Sequence, residues 1–337
     1  MAGFDEGRWR RWMPQGVAHQ VRRRVGNVLI DGIFQAGSAA WRALPSADPR
    51  RHGVERTADV PYRSSAGGGD DRAHLLDVYA PAAGTREGPA PAVLYVHGGS
   101  FRILSKDSHF MMGITFARAG YVVFNMNYRL APGCPFPAAV EDVAEAYRWV
   151  VEHAARWNAD PRRLVVAGES AGGNLALCAA IMATYERPEP YARRVFQSGV
   201  VPKAVVPLCG ILQVSDPRRA RGARPSSLMQ DRIDQVAEAY LGEDHTPPSM
   251  AQALADPILI LEGGRPARPF PATFASVGTR DPLLDDTLRL ERTLAAWGVP
   301  CEARTYRGQP HAFQALTFRR AVRAHWDDLF TFLAAHV

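Results

Sequence analysis

The chain has 337 residues, of which 47% are hydrophobic and 22% are charged. Both fractions are near the average of globular proteins, so the composition predicts a large buried core and excludes wholesale disorder. Its net charge is +6, from 40 basic and 34 acidic residues. No motif that reads nucleic acid accompanies this modest basic surplus, and we therefore predict no nucleic-acid partner.

The first 50 residues combine several arginines with apolar residues at a helix-like spacing. The apolar positions are Val17, Val21, Val25 and Leu29. No apolar run approaches the ~20 residues of a membrane span, and the segment lacks the pattern of a signal peptide, which predicts a cytoplasmic protein. A basic amphipathic helix also binds anionic membranes, so weak contact of this segment with a membrane surface stays open.

From His74 onward, short apolar strand patterns alternate in most cases with helix patterns. The predicted strands are 74–79, 92–97, 121–127, 163–168, 203–209, 272–278 and 301–307. The predicted helices are 138–157, 171–186, 282–297 and 316–335. This alternation predicts an α/β fold with a mostly parallel central sheet and helices on both faces. Residues 211–254 interrupt it with an Arg/Pro/Ser-rich stretch and a short helix-like run at 233–241.

A serine lies between one of these strands and the helix that follows. Residues 168–172 have the pattern Gly-x-Ser-x-Gly, with Ser170 at its centre. Gly168 and Gly172 lack a Cβ and permit a sharp turn, which would expose the Ser170 hydroxyl at the N-terminus of a helix. The same pattern is also typical of a loop that merely caps a helix, so further groups are needed to make Ser170 a nucleophile.

A serine nucleophile requires hydrogen-bond donors for the oxyanion that forms when it attacks a carbonyl. The predicted strand at 92–97 leads into Gly98 and Gly99. We predict that the N–H groups of these two glycines and of Ala171 form an oxyanion hole. His97 precedes the nucleophile in the chain, and we predict that it fixes this loop.

The nucleophile also needs a base and a carboxylate that orients the base. Asp281 follows the predicted strand at 272–278, and His311 follows the strand at 301–307. Asp281 also has the alternative role of capping the helix that starts at Pro282. Of the neighbouring acids, Asp285 and Asp286 are predicted to face solvent, and Glu169 is predicted to serve in packing or in a polar network.

The sequence resembles the hormone-sensitive-lipase-like branch of the α/β-hydrolases, which includes many bacterial carboxylesterases. The motifs that carry the resemblance, in order over about residues 72–335, are His97–Gly99, Tyr128–Pro132 with Phe136–Ala139 and Glu141–Asp142, Gly168–Asn174, Asp281–Leu283 with Asp285, and His311–Phe313. Two positions depart from the pattern, because many relatives have glycine at Ser100 and aspartate at Glu169. Neither replaced side chain is a proposed catalytic group.

The resemblance implies an α/β-hydrolase fold with a helical cap. Its division of the chain is a cap segment at 1–50, a cap insertion at 211–254, and a core formed by 51–210 and 255–337. It also implies a serine carboxylesterase that hydrolyses short- to medium-chain esters through a Ser170, His311 and Asp281 triad. The expected partner is therefore a small-molecule ester.

Cofactors and metals are not expected. The mechanism requires no cofactor, and the histidines and cysteines lack metal-ligand spacing. Cys178 and Cys209 lie in apolar runs and are predicted to be small buried hydrophobic residues. Other functions stay open, namely an amidase, lactonase or acyltransferase with the same triad, or a non-catalytic small-molecule receptor on the same fold. A homodimer also stays open.

Overall fold

The computed structural model describes residues 32, 36–63, 71–84, 87–219, 227–242, 254–315 and 320–337. Strands and helices alternate through most of this range. The strands are β1 (Val54–Pro61), β2 (Leu75–Pro81), β3 (Ala90–Val96), β4 (Val122–Met126), β5 (Ala159–Glu169), β6 (Ala204–Leu208), β7 (Ala272–Gly278) and β8 (Cys301–Tyr306). The helices are α1 (Phe110–Arg118), α2 (Ala138–His153), α3 (Ala171–Thr184), α4 (Pro190–Gln197), α5 (Ser227–Leu241), α6 (Pro257–Gly263), α7 (Leu284–Trp297) and α8 (Arg320–His336).

All eight strands belong to one sheet with the order β1-β2-β4-β3-β5-β6-β7-β8. β2 pairs antiparallel with both β1 and β4, and every other neighbouring pair is parallel. β3, β4, β6 and β7 are buried along their whole length, which explains why they are mostly apolar and lack regular polar alternation. The predicted mostly parallel sheet is confirmed.

Helices cover both faces of this sheet, as predicted. On one face, Tyr147 of α2 and Leu175 of α3 belong to a large buried apolar cluster. On the other face, Phe116 of α1 and Leu329 of α8 belong to a second cluster. Each cluster takes alternate side chains from the central strands, for example Leu94 for the first face. The sheet is therefore the middle of three layers.

Part of the predicted N-terminal cap segment lies outside the described residues, including Val17, Val21, Val25 and Leu29. Residues 36–42 are helical. Trp41 packs edge-on against Phe110 at the start of α1, with ring centroids 5.6 Å apart. Arg42 forms a 2.7 Å ion pair with Asp107. The end of the segment thus rests on the residues just before and at the start of α1.

The two ends of the predicted cap insertion at 211–254 lie side by side. The buried Asn174 amide donates to the Ile211 carbonyl at 2.8 Å and to the Ala255 carbonyl at 2.9 Å. The Cys178 thiol, one turn further along α3, donates to the Leu254 carbonyl at 2.9 Å. The insertion contains α5 and leaves and rejoins the core at this helix. Among the helices described, none is long and apolar enough to cross a membrane.

Candidate active site

The loops that follow the parallel strands all emerge at the carboxyl edge of the sheet. The spatial order β3-β5-β6-β7-β8 places the ends of five strands next to one another. In open α/β sheets this edge is where ligands bind. Ser170 follows β5, Asp281 follows β7 by two residues of loop, and His311 lies on the loop after β8. The topology therefore brings together residues that are far apart in sequence.

Ser170 occupies a strained turn between β5 and α3. Its backbone has φ 55° and ψ −113°, in a region that side chains rarely adopt. A Cβ on Gly172 would overlap the carbonyl oxygen of Val96, and one on Gly168 would overlap the backbone of Gly172. Only glycine fits at these two positions. The Ser170 N–H donates to the Leu208 carbonyl at 2.8 Å, which ties the turn to the end of β6.

The structure places Ser170, His311 and Asp281 in one hydrogen-bonded chain. Ser170 Oγ lies 3.0 Å from His311 Nε2, and His311 Nδ1 lies 2.8 Å from Asp281 Oδ2. The second Asp281 oxygen, Oδ1, accepts from the Leu283 N–H at 2.9 Å. This carboxylate can therefore orient the histidine with Oδ2 and cap the following turn with Oδ1.

The environments of the acid and the base differ. Asp281 is buried, whereas 31% of the His311 side chain is exposed. Burial alone would lower the pKa of the His311 imidazole, but the Asp281 carboxylate overcomes this effect and raises the pKa well above its ordinary value of 6.5. The imidazolium that forms when His311 accepts a proton is therefore stabilised by a fixed buried charge.

The glycine loop after β3 turns sharply beside Ser170. Gly99 has φ 116°, and a Cβ there would overlap the Ile103 carbonyl. Ser100 and Phe101 both have φ 58°. Three successive residues thus have positive φ, which bends the loop tightly. The Gly98 N–H already has a partner in the structure, because it donates to His109 Nε2 at 3.3 Å.

His97 stabilises the base of this glycine loop. Its Nδ1 lies 2.6 Å from the Gly98 carbonyl, and its ring stacks on Tyr128 with centroids 4.2 Å apart. The Tyr128 hydroxyl donates to the His97 carbonyl at 3.0 Å. Burial, with a smaller contribution from His109, lowers the pKa of His97 to about 3, so the ring is neutral at physiological pH. These contacts agree with the predicted role of His97.

Glu169 belongs to a buried polar network, as predicted. The Gln314 amide donates to Glu169 Oε2 at 2.6 Å, and Glu169 Oε1 lies 3.6 Å from His109 Nε2. Because Gln314 lies three residues after His311, this network ties the histidine loop to the nucleophile turn. Sequence analysis missed Gln314, since nothing in the local pattern marks a partner for a residue 145 positions away.

The prediction that Asp286 faces solvent is wrong. Asp286 is buried and accepts from the Leu212 N–H at 2.7 Å and from Arg219 Nε at 2.7 Å. It therefore holds the first residues of the cap insertion against α7. Its neighbour Asp285 is partly exposed.

The pair Glu141 and Asp142, which carries part of the family resemblance, binds Arg129 in this fold. Asp142 is buried and accepts from the Arg129 N–H at 2.8 Å and from Arg129 Nε at 2.9 Å. Arg129 also pairs with Glu141 at 2.8 Å. The motif thus ties the segment that follows β4 to α2.

The cap insertion contacts the glycine loop through two aromatic rings. Tyr240 near the end of α5 stacks on Phe101 with ring centroids 3.8 Å apart. The Tyr240 carbonyl accepts from the Phe136 N–H at 2.9 Å. A change in the position of α5 would therefore also displace the loop that carries the predicted oxyanion donors.

Known proteins resemble this chain in sequence and in structure. A sequence profile for the α/β-hydrolase fold matches residues 93–315. Esterase LipI of Mycobacterium tuberculosis is 35% identical over 288 residues, which cover 84% of this chain and 82% of LipI. Carboxylesterase NlhH of the same species is 35% identical over 219 residues, which cover 63% of each chain.

Solved structures extend the likeness over most of the fold. A bacterial heroin esterase superposes with a TM-score of 0.70 at 24% identity, over 90% of this chain and 89% of that one. An esterase from Pyrobaculum calidifontis superposes with a TM-score of 0.67 at 25% identity, over 92% and 93% of the two chains. The chain belongs to the hormone-sensitive-lipase-like family of the α/β-hydrolase fold.

Proposed function

We propose that the chain is a serine carboxylesterase that hydrolyses short- to medium-chain esters with Ser170, His311 and Asp281 as its catalytic triad. Carboxylic ester hydrolysis is the activity that the family and its esterase relatives support. The observation that carries the residue assignment is the continuous chain of hydrogen bonds from Ser170 Oγ through the imidazole to Asp281.

Acylation follows from this geometry. His311 Nε2 takes the proton of the Ser170 hydroxyl as the oxygen attacks the ester carbonyl, and it then returns this proton to the departing alcohol. Asp281 holds the imidazole with its Nδ1–H toward the carboxylate, so that Nε2 keeps a free lone pair. In deacylation, water takes the place of the alcohol, and the acid is released.

The oxyanion of each tetrahedral intermediate needs N–H donors near Ser170. Gly99 and Ala171 retain this proposed role. The Gly98 N–H would have to leave His109 before it could contribute. We add the N–H of Ser100, which follows Gly99 in the positive-φ turn. The side chain of Ser100 is not required for this role, which fits the glycine found here in many relatives.

Initial rates on p-nitrophenyl esters of increasing acyl length test the substrate proposal. We expect the highest kcat/KM on short to medium chains and loss of activity after treatment with a fluorophosphonate. Ser170→Ala and His311→Ala should each lower kcat by about 10³-fold or more, and the double variant should be little worse because the residues act as one unit.

His153→Ala, at the end of α2, is the matched control for the histidine substitution and should retain turnover. Near-normal activity of His311→Ala would contradict the base assignment. A preference for emulsified long-chain lipid would contradict the substrate class, and faster turnover of matched p-nitroanilides would indicate an amidase.

A further inference from the structure

The loop after β6 places a cysteine thiol beside the catalytic imidazole. β6 lies between β5 and β7, so the residue that follows it, Cys209, enters between the nucleophile turn and the Asp281 turn. The Cys209 N–H donates to the Ser276 carbonyl at 2.7 Å, which fixes the backbone there. The side chain is fully buried, and its Sγ accepts from the Gln314 amide at 3.6 Å and lies within 4.8 Å of a ring nitrogen of His311.

Three potential metal ligands meet at this point. One ligand atom each from Cys209, Asp281 and His311 lies within 4.8 Å of the other two. Within the part of the chain that the structure describes, this is the single such trio. Around a tetrahedral Zn²⁺ with bonds of about 2.0–2.3 Å, ligand atoms are about 3.3–3.7 Å apart, so small side-chain rotations would complete three coordinating bonds.

The ligand types determine which cation fits. Thiolate and imidazole favour borderline and soft cations, and a thiolate, an imidazole and a carboxylate together suit Zn²⁺ and Cd²⁺ better than Mg²⁺ or Ca²⁺. His311 is the partly exposed member of the set, so a cation would enter from its side. A water molecule would complete the tetrahedron, as in sites with three protein ligands.

We propose that Cys209, Asp281 and His311 form a binding site for a thiophilic divalent cation, Zn²⁺ or Cd²⁺, whose occupation switches off the triad. The existence of the site does not depend on esterase activity, whereas the inhibition rests on the proposed function. Sequence spacing gives no sign of such a site, because the ligands come from loops after three different strands.

Binding would change the protonation of the imidazole without changing its charge. The cation takes the place of the hydrogen bond between His311 Nδ1 and Asp281, and it forms one coordinating bond to Nδ1 and one to the carboxylate. The Nδ1 proton moves to Nε2, the Cys209 S–H bond breaks, and the thiol proton passes to solvent. Nε2 then carries a hydrogen and has no lone pair for the Ser170 proton, so the enzyme loses its general base.

Cadmium absorption tests the site without using catalysis. In Ser170→Ala protein kept reduced, titration with Cd²⁺ should produce the ultraviolet absorption of a cadmium–thiolate bond. Adding Cys209→Ser should remove this absorption, whereas adding Cys178→Ser should not. Cys178 is the matched control because it is an equally buried thiol, and its Sγ donates to the Leu254 carbonyl. Cys209→Ala replaces Cys209→Ser if the serine variant does not fold.

Inhibition by Zn²⁺ tests the consequence. For each variant, the rate on p-nitrophenyl butyrate in the presence of Zn²⁺ is divided by the rate of the same variant in chelator. The measured quantity is the free Zn²⁺ concentration that gives half-inhibition. Cys209→Ser should raise this concentration by about 10-fold or more, whereas Cys178→Ser should leave it unchanged.

The outcomes are separable. Absence of cadmium–thiolate absorption in Ser170→Ala protein, or its full retention after Cys209→Ser, would overturn the site. Binding of Cd²⁺ at Cys209 without any inhibition by Zn²⁺ at saturation would overturn the switch. A metal-free protein without esterase activity would refute the proposed function, while the cadmium result would still decide the site.

Discussion

At the scale of single residues, the triad makes a prediction about pH. His311 accepts a proton only as the neutral imidazole, and Asp281 holds its pKa well above 6.5. The activity kcat/KM should therefore fall as pH decreases through an apparent pKa above 6.5. Asp281→Asn should move this limb to lower pH, because the carboxylate that stabilises the imidazolium is gone, and should lower kcat by about 10³-fold or more.

The measurement is a pH–rate profile on a soluble short-chain ester, with Asp285→Asn as the matched control. Asp285 lies four residues further along the chain, on α7, and its substitution should leave both the limb and kcat near those of the wild type. A mild effect of Asp281→Asn together with a severe effect of Asp285→Asn would transfer the role of the acid to Asp285.

The triad candidates were accessible to sequence analysis because each lies on a loop directly after a predicted strand. Other contacts of the site were not. Asp286 binds Arg219 across 67 positions and the Leu212 N–H across 74, and only the folded chain brings these groups together. The same is true of Cys209, because its apolar neighbours in sequence predict burial but give no sign that it lies near His311.

At the scale of elements, seven of the eight strands, β2 to β8, overlap the predicted strand ranges, and β1 does not. β1 was missed because its exposed positions include Glu55 and Thr57, and only Val54 among its residues is buried. As an edge strand it pairs on one side with β2, so it needs no continuous apolar run. α1, α4 and α6 were also missed, since each spans only seven to nine residues and gives a short periodic signal.

The junction between α3 and the cap insertion gives the second prediction. Asn174→Ala removes two hydrogen bonds and leaves the Ile211 and Ala255 carbonyls without this donor. We expect a loss of about 2–4 kcal/mol in the free energy of unfolding. Because both carbonyls belong to the ends of the insertion, trypsin should also cleave faster after the arginines at 218–224.

Asn125→Ala is the matched control for this variant. Asn125 is also a fully buried amide that donates to two carbonyls, those of Lys106 and His109, but it lies in β4. It should destabilise the protein without selectively accelerating cleavage in the insertion. Equal cleavage rates in the two variants at matched stability would show that Asn174 does not hold the insertion.

At the scale of the whole molecule, the N-terminal segment has two competing roles, as a cap or as a membrane-surface helix. The described end of the segment docks on the core through Trp41 on Phe110 and Arg42 on Asp107. A cavity of about 670 Å³ lies between this end and the loop after Gly98 and Gly99, with Arg42 and Ile103 among its lining residues. We favour the cap.

Deleting residues 1–44 should then impair activity or solubility, because it uncovers Phe110 and opens the cavity beside the glycine loop. Neither form should sediment with anionic vesicles. A membrane helix predicts the opposite pattern, in which the full-length chain binds vesicles at low salt, salt releases it, and the truncated enzyme hydrolyses small soluble esters at a normal rate.

A pair of charge reversals in the full-length chain separates the two roles without a deletion. Arg42→Glu places a carboxylate against Asp107, whereas Arg50→Glu changes an exposed arginine by the same two charge units. If the segment is a cap, Arg42→Glu alone should lower kcat/KM, since like charges oppose docking at that point. If it is a membrane helix, the two variants should lose vesicle binding equally and keep their activity, and that result would overturn the cap.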